Sequence, residues 1–364
     1  SGFTHQQAIE LAEKIIKLSA KDITRVFYSD NGSTAVEVAL KMAYQYQAQT
    51  GHPEKSKFVA LKNSYHGDTL GTVSVGGVDL FHKVYKPLLF EIFQASSPYC
   101  YRCPVNKNKE SCDIECLQSM ENILKENHTE IAGVIVEPLV QGAGGMIVYP
   151  CEYLSRLRKL CDAYNVLLID DEVAMGFGRT GKMFAYEHAN ITPDIVCIAK
   201  GLTAGYMPLS ATLTTEKIYS AFYDDYEASK TFYHGHSYTG NPLAASIAVE
   251  CLKIFEEENI IESLQPKIKK FEAELRKFEN LNCVGDIRQL GMIGIVELVM
   301  DKTTKEPMSR DIMIKIYKEA LKRGAILRPM GNTFYFMPPY VITEDEITIL
   351  TDILYKSIKV VCNK

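Results

Sequence analysis

Short apolar runs rich in β-branched residues alternate along this chain with segments of helical period, and that alternation restricts the fold more than any other feature. It is the pattern of an α/β architecture with a largely parallel sheet. Strands are expected at Lys57–Leu61, Gly133–Glu137, Val166–Asp171, Ile195–Ala199 and Ser210–Thr214, and Glu152–Tyr164 has the length of a crossover helix between the second and third. Another helix is expected from about Ser33, where Thr34 and Glu37 have capping-box spacing and Val36, Ala39, Leu40 and Ala43 share a face. A long helix follows from about Asn241 to Glu258, after which the composition turns to Lys/Glu-rich helices around short strands. The boundary is therefore expected near residue 255, giving a large domain over 1–255 and a smaller one over 256–364. The last helix should begin at a second capping box, Thr343 with Glu346, and present Ile347, Leu350, Leu354, Ile358 and Val361 on one side.

The 364 residues exceed one typical domain, and 46% hydrophobic with 23% charged residues is the balance of a globular protein rather than a disordered one. Forty basic and 45 acidic residues leave a net charge of −5 with no block of one sign, which argues against a nucleic-acid or membrane face and for small-molecule chemistry. No apolar stretch is long enough to cross a bilayer, and Ser1-Gly2-Phe3-Thr4-His5 lacks the regions of a signal peptide, so the cytoplasm is the expected compartment. Six of the ten cysteines are scattered singly and read as buried thiols. The other four, Cys100, Cys103, Cys112 and Cys116, have spacings that fit known zinc modules only loosely, and the favoured reading is a reduced, Cys-rich surface excursion without metal.

Gly176-Phe177-Gly178-Arg179-Thr180-Gly181 fits the dinucleotide pattern G-x-G-x-x-G, but Asp170, Asp171 and Glu172 precede it and would repel a pyrophosphate. Extended to Lys182, the loop matches a P-loop until Met183 stands where a magnesium-binding hydroxyl belongs. Glycines serving unusual backbone angles is the favoured reading.

Other residues carry more chemistry. Lys200 follows the apolar run Ile195–Ala199, which puts an amine at a strand end where ligands bind in α/β sheets, and partial burial there would favour its neutral, nucleophilic form. Asp171 ends the preceding strand and could keep a ring nitrogen protonated. Gly32 and Ser33, at a helix N-terminus, offer backbone N–H groups and a hydroxyl to an anion. Taken singly, these are a solvated lysine, a strand-end acid and an ordinary cap. Together they match what pyridoxal 5′-phosphate (PLP) requires: an imine-forming lysine, an acid at the pyridine nitrogen and a phosphate cup.

Ser29–Glu37, Tyr65-His66-Gly67, Asp171–Gly181 and Ala199-Lys200-Gly201-Leu202 stand in one order along the chain, and in these stretches the sequence resembles the class III aminotransferases. The resemblance covers nearly the whole chain. It implies a PLP-dependent transferase of fold type I, with a mostly parallel central sheet flanked by helices and a smaller α+β C-terminal domain. It implies that Lys200 bonds the cofactor, that Asp171 pairs with its nitrogen, that Tyr65 stacks on its ring and meets substrate, and that Gly32 and Ser33 hold its phosphate. Ser237 takes the place from which the family reaches the phosphate of a neighbouring subunit, so a homodimer with shared active sites is implied. Arg328 matches an arginine that receives a substrate carboxylate, with Tyr335 nearby and Gly235 among the substrate-binding residues. Glu137 matches an acidic position beside the cofactor.

Tyr65–Thr69, Leu209–Thr215, His234–Ala244 and Arg328–Tyr340 bring the likeness closest to the branch serving biotin synthesis, which implies amino transfer from a small-molecule donor to the keto acceptor 8-amino-7-oxononanoate. Two departures stand out. His234-Gly235-His236-Ser237-Tyr238 differs from the His-Gly-Pro-Thr-Phe of enzymes using S-adenosylmethionine, leaving lysine open as the donor. The chain also starts where the family already has several dozen residues, and a truncated enzyme is expected. Other class III reactions (ω-amino-acid or diamine transaminase, aminomutase), an ATP-binding protein built on Gly176–Lys182 and a catalytically silent protein on the same fold are the rival readings.

Overall fold

The computed structural model describes residues 3–108 and 111–362. The chain divides into two compact units. One runs to Phe177 and resumes over Met183–Glu256; the other comprises Gly178–Lys182 and the chain from Glu257.

The first unit is built on a seven-stranded sheet in the order β1-β9-β8-β7-β4-β2-β3. Its strands are β1 (Ile23–Ser29), β2 (Lys57–Leu61), β3 (Phe93–Ala95), β4 (Ile131–Val136), β7 (Leu167–Asp171), β8 (Ile195–Ile198) and β9 (Ser210–Thr215), while β5 (Val140–Gln141) and β6 (Ile147–Val148) form a separate small hairpin. All five expected strands are present. From β3 to β8 the pairings are parallel, but β9 runs antiparallel to both β8 and β1. Chain length explains the reversal: only residues 199–209 separate β8 from β9, too few for the crossover that a parallel pairing needs.

Helices α1 (Gln6–Leu18), α2 (Gly32–Gln49), α3 (Leu70–Ser74), α4 (Asp79–His82), α5 (Gln118–Asn127), α6 (Cys151–Ala163), α7 (Glu216–Ser220) and α8 (Pro242–Glu257) accompany the sheet. The expected crossover helix is α6. Helix α2 starts one residue before the expected Ser33, and its cap is not the one expected: Asn31 is the N-cap, its side chain accepting from the Thr34 N–H at 3.1 Å while Thr34 Oγ1 accepts from the Asn31 N–H at 3.1 Å. Glu37 is engaged elsewhere, accepting from Thr69 Oγ1 at 2.6 Å and the Gly71 N–H at 2.9 Å. Val36, Ala39, Leu40 and Ala43 of α2 are buried together with Ile169 and Cys197 of the sheet, which fixes the start of α2 close to the ends of β7 and β8.

The second unit holds an antiparallel sheet of β10 (Val284–Leu290), β11 (Ile293–Asp301), β12 (Glu306–Pro307) and β13 (Thr333–Phe336), with helices α9 (Ile260–Arg276), α10 (Arg310–Lys322) and α11 (Glu344–Cys362). Phe271, Phe278, Phe334 and Phe336 sit in its core with Ile347, Leu354 and Ile358 of α11. The expected capping box of α11 forms: the Glu346 N–H donates to Thr343 Oγ1 at 3.2 Å, and Glu346 Oε2 accepts from the Thr343 N–H at 2.8 Å.

Candidate active site

The carboxyl ends of the parallel strands gather four chain segments. Asp171, the last residue of β7, lies opposite Cys197 of β8, and the Glu172 N–H donates to the Cys197 carbonyl at 2.9 Å. Lys200 stands three residues beyond Cys197, so amine and carboxylate are carried on adjacent strand ends. The Lys200 backbone is left-handed, φ +42°, and a non-glycine residue held there costs about 1 kcal/mol or more. Lys200 is exposed in this single chain rather than partly buried as expected, and it opens the short helical turn Lys200–Thr203.

Asp171 is buried, 4% exposed, and takes two donors: the Val173 N–H to Oδ1 at 3.1 Å and His66 Nδ1 to Oδ2 at 2.7 Å. The His66 side chain is wholly buried, and its Nε2 has no partner among the described residues. A donor on one ring nitrogen, directed at a carboxylate, fixes the imidazole and orients the acid. His66 had no role in the sequence reading. Its partner lies 105 positions away, and nothing in a Tyr-His-Gly run announces it.

The same loop reaches the start of α2. The Asp68 N–H donates to Ser33 Oγ at 3.3 Å, and Gly67, at φ +132°, lies so close that a β-carbon there would overlap the Ser33 side chain. Gly32 is crowded too: its β-carbon would stand 2.6 Å from Val173 Cγ1, just past the end of β7. Asn31 takes the N–H groups of Thr34 through its side chain and Ala35 through its carbonyl. The first-turn amides of Gly32 and Ser33 have no acceptor within the helix, and the positive end of an 18-residue helix is added to them.

Tyr65 is half-buried, in edge contact with Phe81 at 5.9 Å, and burial followed by its bond to Asp68 pushes its phenol up to about 12. Its N–H donates to Glu137 Oε1 at 2.9 Å, while Glu137 Oε2 accepts from the Gly142 N–H at 2.9 Å. Burial outweighs these two bonds and pushes the Glu137 carboxyl up to about 7. Glu137 thus ties the Tyr65–His66 segment to the end of β4.

Of the remaining expected residues, Gly235 and Ser237 flank His236, whose Nε2 lies 4.0 Å from Asp30 Oδ1 just before α2, and Arg328 and Tyr335 belong to the other unit. Gly235 and Ser237 are exposed in the loop before α8, near Tyr233, Tyr238 and Leu243, which are 67%, 73% and 68% exposed. Arg328 is exposed in the segment after α10, and Tyr335 is half-buried in β13 opposite Ile295 of β11.

The glycine loop behaves as the favoured reading has it: Gly178 and Gly181 have φ of +89° and +93°, and no α-helix starts after it to face a phosphate. Cys100, Cys103, Cys112 and Cys116 line one small cavity, with Lys107, Ile114 and Tyr153 among its other walls. Among the described residues, no three His, Cys, Asp or Glu side chains are placed to hold a metal ion.

The Aminotransferase class-III family model matches residues 1–358. The chain belongs to the class-III aminotransferases. It is 50% identical to the adenosylmethionine-8-amino-7-oxononanoate aminotransferase of Geobacter sulfurreducens over 99% of this chain and 80% of that one. It is 47% identical to the enzyme of the same name from Methanocaldococcus jannaschii over 97% and 79%. A crystal structure of the Methanocaldococcus jannaschii enzyme superposes with a TM-score of 0.93 at 45% identity, covering 99% of this chain and 81% of that one. An engineered omega transaminase from Pseudomonas jessenii superposes with a TM-score of 0.93 at 32% identity, over 99% and 80%. Class-III enzymes use PLP, and the residues present here fit that group. Two first-turn amides without an acceptor inside their helix and a hydroxyl suit a phosphate, a buried carboxylate oriented by His66 suits a ring nitrogen, and Lys200 supplies the amine.

Proposed function

We propose that this aminotransferase binds PLP at Lys200, Asp171, Tyr65, Gly32 and Ser33 and transfers an amino group to 8-amino-7-oxononanoate, forming 7,8-diaminononanoate in the biotin pathway. The cofactor site rests on one observation: Asp171, oriented by His66, and Lys200, held left-handed, stand on adjacent parallel strand ends, with Gly32 at the start of α2 packed against Val173 just past β7. The substrate is supported by the relatives that bear its name at 47–50% identity.

When bound, PLP supplies an aldehyde carbon for amines and a cationic ring that draws electrons from the neighbouring substrate carbon. Asp171 holds the proton on the ring nitrogen, and His66 Nδ1–H keeps the carboxylate turned toward it. Lys200 would supply the amine that holds the cofactor's aldehyde carbon, and its Nζ would serve as the base that moves the proton at the substrate α-carbon. Ser33 Oγ and the Gly32 and Ser33 amides hold the phosphate. Tyr65 covers the ring, and its position is set through Glu137.

Arg328, Tyr335 and Gly235 are assigned to substrate on sequence likeness, with Arg328 suited to a carboxylate by its paired donors. A homodimer is proposed, with Ser237 reaching the partner's phosphate. The exposed Tyr233, Tyr238 and Leu243 around it support that reading, since neighbouring apolar groups of this size on a surface mark contact faces. S-adenosylmethionine is assigned as donor on the relatives' names. Single-turnover spectra of the purified protein with S-adenosylmethionine, lysine and ω-amino acids test both donor and class. Conversion with S-adenosylmethionine alone is expected; conversion with lysine alone would correct the donor, and none with any amine would remove the proposal.

A further inference from the structure

Strand β7 runs into three consecutive acids, and the pleat sends neighbours to opposite faces. Asp171 shares its face with Ile169, which packs among the α2 side chains, and it meets His66. Asp170 points the other way, and Glu172, of the same parity, follows it. Both are fully buried.

Among the described residues, neither oxygen of Asp170 has a hydrogen-bond donor. Glu172 Oε1 accepts from the Tyr186 N–H at 3.0 Å, the Ala185 N–H also bears on this carboxyl, and its Oε2 has no donor among the described residues. The two carboxyls are hydrogen-bond neighbours of each other. Two carboxylates cannot bond, because both only accept; an acid beside a carboxylate can. The groups bearing on the pair are the carboxyls of Asp171 and Glu187, the phenols of Tyr149 and Tyr186 and the thiol of Cys197. None of these brings a positive charge. Tyr149 donates its hydroxyl to the Glu137 carbonyl at 2.7 Å, and the Tyr186 hydroxyl accepts from the Ala20 N–H at 3.0 Å. Buried acids so placed neutralise rather than stay ionised.

We propose that Asp170 and Glu172 share a proton in an O–H···O bond behind the site, and that this bond positions the end of β7 so that Asp171 faces the cofactor. The positioning half rests on the reading of Asp171 given above; the shared proton does not. Burial, then the neighbouring Glu172 charge, pushes the Asp170 carboxyl well above its usual range, and burial pushes Glu172 up to about 8. Because the Glu172 charge is among the causes that raise Asp170, Glu172 loses its proton first, near 8, and Asp170 keeps the proton that the two then share. That first loss puts a negative charge immediately behind Asp171. Asp170 and Glu172 act through Asp171 and touch no reacting atom.

Infrared difference spectra of the protein as purified read the proton directly. Wild type minus Asp170→Asn at neutral pH should show a protonated-carboxyl band, and Glu172→Gln should remove the same band. Each amide supplies the missing hydrogen, so the remaining carboxyl ionises. No difference band would overturn the shared proton. Should neither variant fold, wild type alone decides: a protonated-carboxyl band that remains in Glu137→Gln must stand at neutral pH and change on the alkaline side, and its absence overturns the proposal.

The positioning role is read from the PLP dissociation constant. In wild type it should weaken roughly three- to tenfold as pH rises past the pair's titration, and in Asp170→Asn it should not. The same course in both proteins would reduce the pair to a structural bond. Failure of the Asp171 reading looks different: Asp171→Asn would retain PLP normally while the infrared band stands.

Discussion

The two faces of the strand end at Asp170–Glu172 carry the same functional group in opposite circumstances. On one, the Asp171 oxygens each take a donor, His66 Nδ1 at 2.7 Å and the Val173 N–H at 3.1 Å. On the other, Asp170 Oδ1 and Oδ2 and Glu172 Oε2 lack donors among the described residues, and burial drives the pair toward the acid form. Exposure does not separate them, since all three are buried. Partners do.

Substitutions on the two faces should therefore part company. Asp171→Asn is expected to lower kcat by roughly a hundred- to a thousandfold, the scale of losing a group that stabilises charge in the transition state. Asp170→Asn should change it by less than about threefold at neutral pH, because an amide imitates the protonated acid. Steady-state kinetics on the two proteins break the comparison if the losses are equal.

Gly67→Ala attacks the face of Asp171 from the loop side. Its φ of +132° and the adjacent Ser33 side chain leave no room for a β-carbon, so a loss of about 2 kcal/mol or more in denaturant unfolding is expected, together with weaker PLP retention. Unchanged stability would show that the loop gives way easily.

His66→Gln should weaken PLP binding by roughly tenfold, the scale of losing a partner that orients a functional carboxylate. Equilibrium dialysis giving wild-type affinity would return His66 to a purely structural place.

The smallest effect is a slope. Glu137 and Glu172 are raised to about 7 and about 8 by burial, above their unfolded values, so the folded chain holds more protons than the unfolded one in between. Stability is fully present below the unfolded carboxylate range and is lost as pH rises through those two values. Tm should fall from weakly acidic to mildly alkaline pH, and Asp170→Asn should flatten the upper part of that fall. A Tm constant across the window would contradict both raised carboxyls.

Much of this was legible in the residues. The apolar runs located five strands, Lys57–Leu61 without any shift, because side chains buried on both faces leave an unbroken apolar signature. Strand direction was not: the Ser210–Thr215 run reads the same either way, and only the length of its connection decides. The α2 cap illustrates a second limit. Asn31 with Thr34 and Thr34 with Glu37 both have capping-box spacing, and the choice was made by Thr69 and Gly71, distant in sequence, which claim Glu37. Lys200, Asp171, Gly32 and Ser33 could be named because strand ends and helix starts are local features. His66 and the Asp170–Glu172 pair could not, since their meaning lies in which face they turn to and what waits there.

The central claim is that Lys200 is the lysine bonded to the cofactor, with Asp171 at the opposite end of the ring. Borohydride reduction of the PLP-loaded protein, followed by proteolysis and peptide mass analysis, tests it most directly. The reduced cofactor should be found on the peptide containing Lys200, and Lys200→Ala should carry none. Its recovery on another lysine, such as Lys182, or equal labelling of Lys200→Ala, would contradict the account.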